Sequence, residues 1–248
     1  MITEDIIYPD WEVPSFIRAI QTTRKGGYSL GKKFGEFNLS KKVGDEESNV
    51  TLNISLLKKI LPNNLNLIEQ VHGIDIIELS PNPTTLQADA SYTRNIGEIC
   101  TVLTADCLPI LITDTKGSFV SAIHAGWKGL GRGIIENSIK QINSPNELIA
   151  WLGPCISQEK MEVGKEVYNF FQRYDKNTCA AFKEKSKDKL SLNLTSAAKI
   201  KLIKLGVQLI YGNSITQHYC TFKEPDKFFS YRRDKITGRM ASLIWIDK

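Results

Sequence analysis

Residues 101–131 read TVLTADCLPILITDTKGSFVSAIHAGWKGLG, two apolar runs that each deliver a reactive side chain to a turn. Cys107 follows the β-rich run 100–104, and His124 closes the run 119–123 just ahead of a glycine-rich segment. Short apolar runs bounded by turn residues predict buried strands, and side chains at strand ends facing loops are where chemistry concentrates. Pro109 removes a ladder donor, so the strand leading on through 108–113 is expected to bend there or to lie at a sheet edge. Past the glycines, Ile134, Ile135, Ile139 and Ile142 fall on one helical face, which predicts a helix over 130–142.

Outward from this unit the same alternation continues. A β-type run over 15–23 ends in Arg24-Lys25-Gly26-Gly27, whose paired glycines mark a turn or a close backbone approach. A helix starts at Asp45, with Val50, Ile54, Leu57 and Leu61 on one face and Pro62 after its last turn. Two short β-rich runs, 65–70 and 74–79, flank His72-Gly73, and a proline-interrupted loop follows. Strands are expected over 147–152, 208–211 and 240–246, and helices over 163–174 and from Asn193 or Thr195, as the cap, to Gly206. The mixed-charge run 183–189 reads as an exposed loop. With no long linker and no internal repeat, the expectation is one α/β or α+β domain over residues 1–248, a mixed β-sheet packed by helices.

Composition narrows the classes. Of 248 residues 42% are hydrophobic and 24% charged, which is ordinary for a globular chain, and the net charge of +5 permits an anionic substrate without reaching a nucleic-acid footprint. Five cysteines without a signal peptide imply reduced thiols and a cytoplasmic location. No apolar stretch is long enough to span a bilayer, so no membrane partner is expected.

Only three histidines occur, His72, His124 and His218. His72, Cys107 and His124 make a possible donor set with an open fourth position, the pattern of a catalytic zinc, although the spacing is too wide to be diagnostic and each residue alone is more often a packing or turn residue. A metal-free Cys107–His124 nucleophilic pair, oriented by Asp106 or Gln70, uses the same residues without His72. Two histidines and a cysteine also suit an electron-transfer copper, with Met161 or Met240 as axial ligand, whereas three histidines are too few for a multicopper oxidase. The glycine turn 124–133, with Lys128 and Arg132, suits either a phosphate or tight strand–helix packing. Residues 228–234, FFSYRRD, read as an aromatic anchor with solvated arginines or as a stacking and anion-binding segment. There is no HExxH, no GxSxG and no nucleobase-deaminase signature.

The segments TTRKGGYS (22–29), NLS and VGD (38–45), QVHG (70–73), TADCLPILI (104–112), HAGWKGL (124–130), LGPCIS (152–157) and FFSYRRDKITGRMA (228–241) together resemble the YfiH/laccase-domain family, in order over nearly the whole chain. The resemblance implies a cytoplasmic, zinc-dependent enzyme that phosphorolyses adenosine, inosine, guanosine and methylthioadenosine and deaminates adenosine. It places metal ligands on His72, Cys107 and His124, with copper the less favoured metal, and implies a fold similar to that of a bacterial toxin deamidase with a Cys-His pair. The family carries older links to polyphenol oxidation and to peptidoglycan-precursor editing. Lys128 departs from the arginine usual after HAGW and loses bidentate phosphate binding. On this reading Cys107, His124 and Asp106 are catalytic, Arg24, Gln70, Lys128 and Arg232 hold purine nucleoside and phosphate, and the chain is a monomer or homodimer. A nucleic-acid-binding module resting on Tyr231, Arg232 and Arg233 ranks behind.

Overall fold

The computed structural model describes residues 5–63, 65–79, 87–213 and 219–247, so His218 and the loop residues 80–86 lie outside the described part. In chain order the elements are β1 (Ile17–Gln21), α1 (Gly31–Phe34), α2 (Glu47–Lys58), β2 (Ile76–Glu78), β3 (Ala90–Thr93), β4 (Ile99–Thr104), β5 (Leu108–Asp114), β6 (Val120–Ala125), α3 (Trp127–Arg132) and α4 (Ile134–Ile142). Then come β7 (Leu148–Leu152), β8 (Glu162–Gly164), α5 (Lys165–Tyr174), β9 (Phe182–Ser186), β10 (Lys189–Leu192), α6 (Leu194–Lys204), β11 (Leu209–Gly212), α7 (Tyr231–Asp234) and β12 (Met240–Ile246).

Every residue of β5 and β6 is buried, as unbroken apolar runs require of strands covered on both faces. They form the centre of a six-stranded sheet, β11-β7-β5-β6-β3-β2, parallel at β11–β7 and β2–β3 and antiparallel between. One face takes Leu130, Ile134, Ile135, Phe171 and Leu202 from the helices α3 to α6, packed on Ile110, Ile112 and Ile123. The other face, through Leu111, Val120, Ala122 and Trp151, meets Ile17, Cys100, Val102 and Ile244 of a second, antiparallel sheet, β1-β12-β4. The far side of that sheet is closed by Leu57 of α2 with Phe37 and Leu39. The layers are therefore helix, sheet, sheet, helix, each buried Leu or Ile contributing about 2 kcal/mol. A small sheet, β8-β10-β9, lies beside them. Among the described residues no helix is long and apolar enough to cross a membrane.

Four local expectations change. Pro109 stands in a central strand, because its missing donor faces beyond the last residue of β7, where the Pro109 carbonyl instead accepts from Gly153 N–H (2.9 Å). The helix over 130–142 is two helices, broken at Gly133, whose φ of 104° only glycine adopts readily. Residues 183–189 belong to the β9–β10 hairpin rather than a loop. The run 65–70 makes only an isolated bridge at Glu69. By contrast, Asn193 caps α6 as expected, accepting from Ser196 N–H at 3.0 Å.

At the end of β5 opposite Cys107, the buried carboxylate of Asp114 accepts from the N–H groups of Lys116 and Ser118, the hydroxyls of Ser118 and Ser144, and Asn146 Nδ2. Burial pushes this acid up, but the hydrogen bonds from Ser118, Ser144 and Asn146 outweigh it and bring Asp114 from 3.8 to about 2. A depressed folded-state pKa stabilises above the unfolded value, and that contribution is lost as pH falls from about 4 to about 2. Asp114→Asn should therefore cost roughly 2 kcal/mol at pH 7, with the gap from wild type closing across that window in urea titrations at several pH values.

Candidate metal centre

Three turns meet where β3, β5 and β6 share an end. Cys107 lies in the tight connection between β4 and β5, which Asp106 shapes by taking a φ of 95°. The Asp106 carboxylate accepts from Thr221 Oγ1 and from Arg232 N–H, both at 2.6 Å, and its carbonyl accepts from Ile156 N–H at 3.0 Å. His124 is the penultimate residue of β6, opposite Pro109. His72 sits in the turn before β2, at a φ of 61°. Gln70 fixes the approach to that turn by pairing its amide with both backbone groups of Leu103 (2.7 and 2.8 Å).

One residue that sequence reasoning missed joins these turns. Asp89, fully buried just before β3, accepts from the N–H groups of Val71 (3.1 Å), His72 (2.9 Å) and Gly73 (2.6 Å), which holds the His72 turn. His124 lies with Nδ1 2.7 Å from Asp89 Oδ1, and its own N–H donates to the Asp89 carbonyl, also at 2.7 Å. Burial pushes Asp89 up, yet the bond from His124 and the amides of Gly73 and Val71 hold it below the usual carboxylate value. A carboxylate can only accept, so the proton toward Asp89 sits on His124 Nδ1, and in the neutral imidazole that a metal would bind, Nε2 carries the free lone pair. The available signal was a lone acid among small residues, Ala88-Asp89-Ala90, at the mouth of a β run.

The donor atoms of His72, Cys107 and His124 lie within 4.8 Å of one another, with Cys107 Sγ 3.9 Å from His72 Nε2. The two imidazoles meet edge to face. Burial alone would raise the Cys107 thiol, but the charge and hydrogen bond of His124, aided by His72, lower it to about 6. Burial likewise opposes the His124 imidazolium, while Cys107 and Asp89 raise it to about 9. A tetrahedral zinc with N and S ligands needs donors roughly 3.5 Å apart, so the 3.9 Å Cys107–His72 pair fits after closing by a few tenths of an ångström, and a separation at the 4.8 Å limit would close by about 1 Å. Asp89 behind His124 is the usual outer partner of a metal-bound imidazole. His124 is buried and His72 exposed, which leaves the open direction toward solvent.

Gly126 completes the fit. A Cβ there would stand 2.8 Å from His72 Cδ2 and 3.1 Å from Cys107 Sγ. The other expected site residues are placed differently. The Arg24 guanidinium donates to the carbonyls of Gly35, Lys32 and Pro225 and lies over the Phe229 ring. Arg232 donates to the carbonyls of Lys160 and Glu162. Lys128 is exposed, with no hydrogen-bond or ion-pair partner among the described residues. Phe228 and Phe229 are fully buried, the anchor reading of that segment. Met161 Sδ takes Arg232 Nη2 at 3.5 Å, and Met240 packs with Ala105, Phe228 and Phe229.

Fold and site define an α/β protein with a His-Cys-His donor group at the ends of its central strands. The chain belongs to the family described as multi-copper polyphenol oxidoreductase laccase, whose model matches residues 18–247. It is similar to a purine nucleoside phosphorylase of Haemophilus influenzae, 43% identical over 246 residues, covering 97% of this chain and 99% of that one. The purine nucleoside phosphorylase YfiH of Escherichia coli is 40% identical over 245 residues, covering 97% and 98%. The crystal structure of Neisseria meningitidis protein NMB0706 superposes with a TM-score of 0.91 at 36% identity, covering 98% of this chain and 100% of that one.

Two substitutions test the outer shell. Asp89→Ala should weaken zinc binding by about 10- to 100-fold, measured by competition with a chromogenic chelator. Gly126→Ala, at an extended backbone position that alanine adopts freely (φ −68°, ψ 157°), should weaken zinc similarly while leaving the thermal midpoint close to wild type.

Proposed function

We propose that the chain is a zinc-dependent purine nucleoside phosphorylase that takes adenosine, inosine, guanosine and methylthioadenosine and also deaminates adenosine, in the cytoplasm. The observation that carries this is the His72, Cys107 and His124 donor group ordered by one buried carboxylate, in a chain whose relatives at 40–43% identity bear the phosphorylase name. All five thiols are free, which suits a reducing compartment. Copper is the less favoured metal, since a chain with three histidines has too few imidazoles for several copper ions.

Zinc bound here would act as a Lewis acid and lower the pKa of a coordinated water to roughly 7. The protein's part is orientation. Asp89 keeps the Nδ1 side of His124 occupied, so Nε2 and the Cys107 sulfur face the same point as His72. Each Asp106 oxygen retains a lone pair beyond the bonds it accepts from Thr221 and Arg232, so in deamination Asp106 takes the proton given up by the attacking water and returns it to the departing ammonia. In phosphorolysis phosphate forms the bond to the anomeric carbon as the purine leaves. Lys128, whose ammonium lies over the Trp127 ring with no hydrogen-bond or ion-pair partner among the described residues, brings positive charge to the rim, while Arg24, with its donors on carbonyls, and Arg232, with Nη1 on carbonyls and Nη2 on Met161 Sδ, hold the walls.

A second reading, a Cys-His hydrolase acting on a cell-wall precursor, is favoured by one observation. The Cys107 thiol is drawn down and the His124 imidazole up, with Asp89 as the third, orienting member. His72 separates the two readings, because only a metal needs it.

Protein purified without chelator should hold close to one zinc per chain and release ribose 1-phosphate from nucleoside only when phosphate is present. His72→Ala should lose the zinc and at least about 100-fold in turnover. A fully active, metal-free His72→Ala protein would move the assignment to the thiol, and wild type inert toward all four nucleosides would end the phosphorylase reading.

A further inference from the structure

The loop that enters β12 carries a guanidinium that the site described so far does not use. Met240 pairs with Thr104 across β12 and β4, which sets Arg239 beside the 105–107 turn that bears Cys107. Its backbone is fixed on both sides: Arg239 N–H donates to Asn38 Oδ1 (2.9 Å), and its carbonyl accepts from Leu39 N–H (3.2 Å). Nη1 donates to the carbonyls of Thr237 (2.8 Å) and Gly238 (3.0 Å), which holds the side chain back against its own loop. Nε and Nη2 have no acceptor among the described residues, and no carboxylate there lies in ion-pair range.

A half-buried guanidinium without a carboxylate is costly to keep. Burial lowers the Arg239 pKa, and the ionisable groups close enough to act against this are Cys107, Asp106 and Tyr231. All three belong to the turns around the metal centre: Tyr231 is exposed and starts α7, whose second residue, Arg232, donates its N–H to Asp106. The free Nε and Nη2 donors form the planar edge that binds a phosphate oxyanion through two parallel bonds. Arg24 has no such edge left, since Nε, Nη1 and Nη2 all donate to backbone carbonyls, and Arg232 spends Nη1 on the carbonyls of Lys160 and Glu162 and Nη2 on Met161 Sδ, which leaves Nε without a neighbouring donor to complete an edge.

We propose that Arg239 is the anion-binding residue of this centre, taking an oxyanion of inorganic phosphate on its Nε/Nη2 edge beside Cys107. This deepens the phosphorylase reading and rests on it for the identity of the anion. Dialysis of zinc-loaded protein against radiolabelled inorganic phosphate tests it without turnover. Arg239→Gln should weaken phosphate binding about 10-fold or more, with zinc content and thermal midpoint unchanged. Arg239→Lys, which keeps the charge and loses the fork, should fall between the two and decides the matter if Arg239→Gln does not fold. Phosphate bound by a folded Arg239→Lys or Arg239→Gln protein as tightly as by wild type, or not bound by wild type, overturns the assignment. Displacement of phosphate by adenosine 5′-monophosphate at far lower concentration than by ribose 1-phosphate also overturns it, giving the edge to a nucleotide ester. The two readings fail separately. Phosphate bound through Arg239 without nucleoside turnover sinks the phosphorylase reading alone. Turnover with an unchanged KM for phosphate in Arg239→Gln sinks this one alone.

Discussion

One buried carboxylate sets the geometry of the candidate site. Asp89 receives three consecutive backbone amides from residues 71–73 and the imidazole of His124, so a turn before β2 and the end of β6 are tied to the same two oxygens. Hydrogen bonds to a charged acceptor contribute about 1.5–3 kcal/mol each, and a buried acid lacking them would be expelled or neutralised. The amides hold His72 at a left-handed φ that a free turn would seldom take. The imidazole contact fixes which nitrogen of His124 faces Cys107. The position of two donors and the tautomer of one, His124, thus follow from one side chain that is not itself a donor.

How much of this was legible in the sequence depends on what each residue's partner is. Cys107 and His124 could be read because each ends an apolar run, and His72 because histidine is so scarce here. Asp89 could not, since three of its partners are main-chain amides with no letter of their own. The arginines show the opposite case: the letters of Arg24 and Arg232 show charge, while the carbonyls that take all of Arg24's donors and the Nη1 of Arg232 are invisible. The helix break has a similar origin. Ile134 to Ile142 keep a helical period, and only the positive φ of Gly133 separates them from α3. Pro109 misled because a proline is judged by the strand's neighbours, and β7 stops one residue short of it.

The family's description speaks of several copper ions, whereas this chain offers three histidines, two of which already stand in one donor group. Imidazole count and donor softness separate these possibilities more cleanly than overall likeness. A thiolate and two imidazoles suit one borderline-soft ion, and the same thiolate paired with His124 suits nucleophilic chemistry when no ion is bound. The close relation between the two readings is physical, because metal and proton compete for the same lone pairs on sulfur and nitrogen.

The pairing of Ile17 with Ile246 closes the β1-β12-β4 sheet over almost the whole length of the chain. Forming such a contact requires a very large loop to be closed, whereas β5 and β6 are neighbours in sequence and can zip early. Folding on this topology favours the central hairpin first, with Cys107 and His124 already near one another, and the β1-β12-β4 sheet later. Until β12 docks, β4 lacks the one partner it has in that sheet among the described residues. A metal ion present during folding would therefore meet Cys107 and His124 before the sheet behind the 105–107 turn is closed.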